Sequence, residues 1–114
     1  MKKLNIIMYV DTFKKLKTYA KEHDLTLKET MLRALNFALK HKSKFKTFLS
    51  EYYKDDITTL RSFKVSEDTH QKIKSIARHY GVSMSLLIDG AIEFYLKAKE
   101  VGENGKYAPY RPDY

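Results

Sequence analysis

The chain has 114 residues, of which 22 are Lys or Arg and 14 are Asp or Glu, a net charge of +8. That length holds one domain, or two halves sharing a core, and the basic balance favours a polyanion as partner: nucleic acid first, an anionic membrane surface second. The absence of cysteine excludes a disulfide framework and a thiolate metal site, and no stretch approaches the ~20 apolar residues that span a bilayer.

Met1-Lys2-Lys3 imitates the start of a signal peptide, but the apolar stretch behind it is short and meets Asp11 without a small-residue cleavage site. The expectation is a protein used inside a cell. Leu4, Ile6 and Met8 alternate with other residues, which predicts a strand with one buried face and turns Lys3, Asn5 and Ile7 outward. Asp11 is the expected N-cap of a first helix that buries Leu16, Tyr19, Ala20 and His23. Asp24 breaks this helix. Thr26-Leu27-Lys28-Glu29 is a capping box, and the helix behind it buries Met31, Ala34, Leu35 and Ala38.

Phe45, Phe48, Leu49 and Tyr52 then recur at helical spacing, which predicts an additional helix or an extension of the second one, ended by Asp55-Asp56. Phe63 and Val65 face the core of a second strand, with Ser62 and Lys64 outward and Leu60 or Arg61 at the strand's end. Ser66 caps a helix burying Ile73, Ile76, Ala77 and Tyr80, and Gly81 suits the left-handed position after it. Ser83-Met84-Ser85-Leu86 opens the last helix, which buries Ile88, Ala91, Ile92 and Tyr95. Beyond Lys99, Gly102, Gly105, Pro109 and Pro112 predict an irregular tail carrying Tyr107, Tyr110 and Tyr114.

The elements repeat. Residues 6–40 laid on residues 63–97, an offset of 57, align Asp11-Thr12 with Asp68-Thr69, Ala20 with Ala77, Ala34 with Ala91, Phe37 with Phe94 and Leu39-Lys40 with Leu96-Lys97. Like-for-like exchanges lie between, such as Met8/Val65, Leu16/Ile73 and Leu35/Ile92. The expected organisation is repeat one over 1–42, a partly helical connector over 43–60, repeat two over 61–99 and the tail over 100–114. A unit of roughly 35 residues cannot bury a core alone, so the copies must pair.

Strand, helix, capped turn and helix, twice over, resembles the ribbon-helix-helix (MetJ/Arc) superfamily. The second copy carries the likeness in Ser62-Phe63-Lys64-Val65-Ser66-Glu67, Ile76-Ala77, Gly81-Val82-Ser83-Met84-Ser85 and Ala91-Ile92. The first copy diverges at its turn, Asp24-Leu25-Thr26-Leu27-Lys28, and the two copies together cover about two-thirds of the chain. Tandem chains of this kind are similar to some archaeal-virus and conjugative-plasmid regulators.

The resemblance implies a mainly α fold with a two-stranded antiparallel β-ribbon, a pseudo-dimer within one chain. It implies a sequence-specific, double-stranded DNA-binding transcriptional regulator, a repressor, working in the cytoplasm of a bacterial or archaeal cell or of a virus's host. Lys3, Asn5, Ile7, Ser62 and Lys64 would contact bases in the major groove. Thr26, Leu27, Lys28, Ser83, Met84 and Ser85 would hold phosphates at two helix N-termini. Chains would self-associate on DNA. The alternatives are an antitoxin or relaxosome accessory protein, or a non-specific DNA-coating protein.

Other chemistry is sparse. His23, His41, His70 and His79 lack ligand spacing, and Asp55-Asp56 has no neighbouring base. There is neither a Ser/His/Asp set nor a Gly-rich phosphate loop. The expectation is no enzyme, no cofactor, no metal, no membrane and no small-molecule substrate.

Overall fold

In β1 (Lys2–Tyr9), Leu4, Ile6 and Met8 are fully buried while Lys3, Asn5 and Ile7 face solvent, as the period of two requires. The computed structural model describes the backbone of residues 1–104 and the side chains of residues 1–99. β2 (Thr58–Val65) turns Phe63 and Val65 into the same core. The strands pair antiparallel as a two-stranded ribbon, with Lys3 opposite Lys64, Asn5 opposite Ser62 and Ile7 opposite Leu60. β2 starts at Thr58, inside the expected connector, because the ladder continues to the pair Tyr9 and Thr58.

Five helices complete the described chain: α1 (Val10–Glu22), α2 (Leu27–Lys40), α3 (Lys42–Ser50), α4 (Glu67–Tyr80) and α5 (Met84–Asn104). The protein is therefore mainly helical with one two-stranded antiparallel sheet. Among the described residues no helix is long and apolar enough to cross a membrane. α2 and α5 pack against each other at the centre, beneath the ribbon's buried face. Met31, Ala34, Leu35 and Ala38 line α2, and Ile88, Ala91, Ile92 and Tyr95 line α5, all buried. Between the first two helices Asp24 takes φ 55°, and Gly81, 57 residues on, takes φ 70°.

Several expectations need correction. Asp11 is not the N-cap of α1. Tyr9 holds that place without a side-chain cap, and the helix start is satisfied from distant chain. Val10 N–H donates to the Ile57 carbonyl at 2.9 Å and Asp11 N–H to Asp56 Oδ2 at 2.9 Å. His23 lies at the surface, not at the core edge. Its ring stacks on Tyr19 with centroids 3.9 Å apart, because Tyr19 is itself only half-buried at the margin of the core. Asp55-Asp56 does not end α3, which stops at Ser50. α5 continues to Asn104, past the expected end at Lys99. Gly102 lies within it, since a glycine in a helix costs only about 1 kcal/mol against alanine. The tail residues Tyr107, Pro109, Tyr110, Pro112 and Tyr114 lie outside the described residues.

The connector breaks the likeness of the two halves. α3 buries Phe45 and Leu49 against α5, and with α1, α2 and β1 also packed on it every α5 residue from Leu87 to Leu96 is buried, whereas α2 keeps an exposed face. Gly90 permits this approach. A Cβ there would stand 2.6 Å from Cδ1 of the buried Leu49. The position 57 residues earlier, where no such helix lies across, is the exposed Arg33.

Candidate nucleic-acid interface

Directly opposed residues of an antiparallel pair project to one face. The solvent face of the ribbon therefore presents, from one end to the other, Lys3 with Lys64, Asn5 with Ser62, and Ile7 with Leu60. Ser62 Oγ donates to Asn5 Oδ1 at 2.6 Å, which holds the amide in place. All five residues expected to contact bases thus lie on this face. Leu60 joins them, 61% exposed, opposite Ile7 at 57%. Arg61, the other residue considered for the strand's end, belongs to the opposite face. It pairs with Ile6 and lays its guanidinium over the Phe13 ring, 4.1 Å from the centroid.

Each outer edge of the ribbon is bordered by a helix N-terminus. On the β1 side, Ile7 N–H donates to Ser85 Oγ of α5 at 2.8 Å. On the β2 side, Lys28 Nζ of α2 donates to the Lys64 carbonyl at 3.1 Å. Ile7 and Lys64 are 57 residues apart, as are Lys28 and Ser85, so matching positions of the two halves make these two contacts. Both helices are capped. Thr26 Oγ1 accepts from Glu29 N–H at 3.0 Å while Glu29 Oε1 accepts from Thr26 N–H at 2.8 Å, and Ser83 Oγ accepts from Leu86 N–H at 3.0 Å. The hydrogen bond from Thr26 N–H holds the Glu29 carboxyl below the usual range. Leu27 and Lys28 in α2, and Met84 and Ser85 in α5, carry the first helical N–H groups, which have no acceptor within their own helix.

The electrostatics of this face are unbalanced. Lys3 and Lys64 stand directly opposite each other and both are exposed. Opposed like charges destabilise an antiparallel pair, so an anion over this end offsets an intrinsic cost. The exposed aliphatic pair at the other end adds nothing to the core.

A second polar cluster, absent from the expectations drawn from the sequence, lies beneath the surface. Asp89 and Glu93 of α5 are each 2% exposed. Thr12 Oγ1 donates to Asp89 Oδ1 at 2.9 Å, and Tyr9 N–H donates to Asp89 Oδ2 at 2.8 Å. Tyr52 hydroxyl also donates to Asp89, and Lys54 ammonium forms an ion pair with Glu93 and with Asp11. Burial pushes the Asp89 carboxyl above its usual range despite the hydrogen bonds from Tyr52, Tyr9 and Thr12. Burial, and then the charge of Asp89, raises the Tyr52 hydroxyl. For Lys15 burial acts downward, but the charges of Glu93 and Asp11 outweigh it and hold the ammonium above its ordinary value. The signal was available in Leu86-Leu87-Ile88-Asp89-Gly90-Ala91-Ile92-Glu93, two carboxylates four apart on an otherwise apolar helix. The cluster ties the end of β1, the start of α1 and the connector to α5. Among the described residues no three His, Asp or Glu side chains form a group suited to a metal ion.

No family model, no curated protein and no solved structure matches this chain.

Proposed function

We propose that the chain is a sequence-specific double-stranded DNA-binding regulator, made of two tandem ribbon-helix-helix halves joined as one pseudo-dimer. The observation that carries this reading is the ribbon's outward face, with Lys3, Asn5, Ile7, Leu60, Ser62 and Lys64 exposed between two helix N-termini. A two-stranded ribbon fits the major groove, where its side chains reach base edges and the flanking helix starts meet the phosphates on either side. The pseudo-dimer rests on the offset of 57. Asn5 lies opposite Ser62, its own counterpart, so an approximate two-fold axis passes through the middle of the ribbon. A protein seated over a promoter in this way acts most simply as a repressor, by occlusion.

The net charge of +8 supplies attraction to any DNA, so binding by itself does not distinguish a regulator from a coating protein. The ratio of affinities does. Rounds of selection from a random duplex library, followed by titration of the selected site and of random DNA at the same salt, are expected to give a ratio of about 10³ or more. Equal affinities would assign the protein to non-specific coating.

A further inference from the structure

The register of the ribbon carries information about direction. In a strictly two-fold ribbon, position 3 of one copy lies opposite position 7 of the other. The first copy has Lys3 and Ile7 there, and the second has Leu60 and Lys64. Had the second copy kept the first copy's residues, each end would pair one lysine with one aliphatic side chain. The two types are instead exchanged between the copies. Both lysines fall at one end and both aliphatics at the other, with Asn5 and Ser62 between them. The buried face keeps the symmetry in part: Ile6 and Met8 correspond to Phe63 and Val65, all buried, whereas buried Leu4 corresponds to Arg61.

Taking the major-groove reading as its premise, we propose that the ribbon is directional: one chain recognises an asymmetric DNA element in a single orientation, with guanines under Lys3 and Lys64 and thymine methyl groups under Ile7 and Leu60. The two ends are four residues apart along the strand, about 13 Å, a reach of about three to four base pairs. Guanine O6 and N7 are acceptors matched to an ammonium, and the C5-methyl of thymine is the apolar feature that base pairs display in the major groove. An aliphatic pair that is 57% and 61% exposed adds little to the core, and it shares one face of the ribbon with the two lysines, so a duplex docked on that face would cover both. Contact with a methyl group removes apolar surface from water on both partners. The lysine end supplies charge and hydrogen bonds, and the aliphatic end adds discrimination.

The test uses the full chain and the element selected from a random library. The expected element is asymmetric, with G·C pairs at one end and A·T pairs at the other. Replacing thymine by uracil at the A·T end removes only methyl groups and is expected to weaken binding about fourfold per contacted methyl. The same replacement should have no effect with the Ile7→Ala/Leu60→Ala variant. Leu60→Lys/Lys64→Ile restores the two-fold pattern of lysine and aliphatic positions, and selection with it should return an element palindromic outside its centre. A palindromic element for the unmodified chain, or uracil without effect, would overturn the proposal while leaving specific DNA binding intact. Failure to enrich any element would instead remove the premise. An Ile7→Ser/Leu60→Ser variant that retains DNA selectivity but loses self-association would assign the aliphatic end to protein contact and equally overturn it.

Discussion

Asn5 and Ser62 occupy the centre of the ribbon's outer face, and the hydroxyl of one holds the amide of the other. A fixed amide can pair bidentately with adenine, and the ammonium of Lys64 can donate to guanine, so under the proposed function each residue would act on base identity. Asn5→Ala and Lys64→Ala are each expected to cost ~1–3 kcal/mol on the selected site and little on random DNA. Competition titrations check this, and wild-type selectivity in both variants would remove the ribbon as reading element. A second prediction belongs to one backbone angle. Asp24 holds φ 55° where its counterpart Gly81 holds φ 70°. A left-handed conformation strains a residue that has a Cβ, though aspartate less than most. Asp24→Gly is therefore expected to stabilise the fold by about 0.5–1 kcal/mol, and Gly81→Ala to destabilise it by a similar amount. Denaturant unfolding of both variants measures the two signs.

The elements meet at helix starts, and these starts differ. α2 and α5 have local caps in Thr26 and Ser83. Thr26→Ala and Ser83→Ala should each lower stability by ~0.5–2 kcal/mol. They should also weaken binding to all DNA sequences alike, because in the proposed docking these helix N-termini meet phosphates, and phosphates carry no sequence. Loss of selectivity in a salt-matched titration would contradict that division of roles. The start of α1 depends instead on Asp56, the Ile57 carbonyl and, through Tyr9, the buried Asp89. Asp89 titrates above its ordinary value of 3.8 in the folded chain because it is buried. The folded state thus keeps a proton that the unfolded chain has released. The stability Asp89 contributes is full below pH 3.8 and is lost as pH rises through the raised folded value. Asp11, lowered chiefly by the hydrogen bond from Lys54, has the opposite dependence: its contribution is present above 3.8 and lost as pH falls. Asp89→Asn removes the first titration and leaves the second. The stability of the parent relative to this variant should decline as pH is raised from about 4, and a difference constant with pH would refute the assignment.

At the scale of the whole molecule, the two strands of the ribbon pair within one chain, and under the proposed function this sets how many chains make one DNA-reading unit. Asn5 and Ser62 are direct opposites, and a cross-strand pair brings Cβ atoms about 4.5–5.5 Å apart, close to the range a disulfide bridges. Asn5→Cys/Ser62→Cys, in a chain that has no other cysteine, should oxidise to an intrachain bond at low concentration and run as a monomer under non-reducing conditions. Predominant covalent dimers would mean that the ribbon is completed by a second chain. The asymmetry of the molecule has a definite origin. Asp89 and Glu93 replace what the first copy has as Leu32 and Asn36, and α3 packs more extensively on α5 than on α2.

The sequence alone determined the two strands, the four helices of the repeats and the buried faces of β1, β2 and α2. Periods of two and of three to four are local properties, and the capping box, the serine caps and the glycine at 81 act within a few residues. The duplication added the pairing of the two halves, since neither strand has another partner nearby. What only the tertiary structure decided rests on contacts between residues far apart in the chain. That Leu60 stands opposite Ile7, and Lys64 opposite Lys3, is fixed by the register of the two strands. Thr12 and Asp89 meet across 77 residues, and no local pattern links them. The start of α1 is capped by the connector, which a search for caps beside the helix does not find. The grouping of both lysines at one end of the ribbon is invisible in either strand alone. It exists only when two antiparallel strands meet in one register.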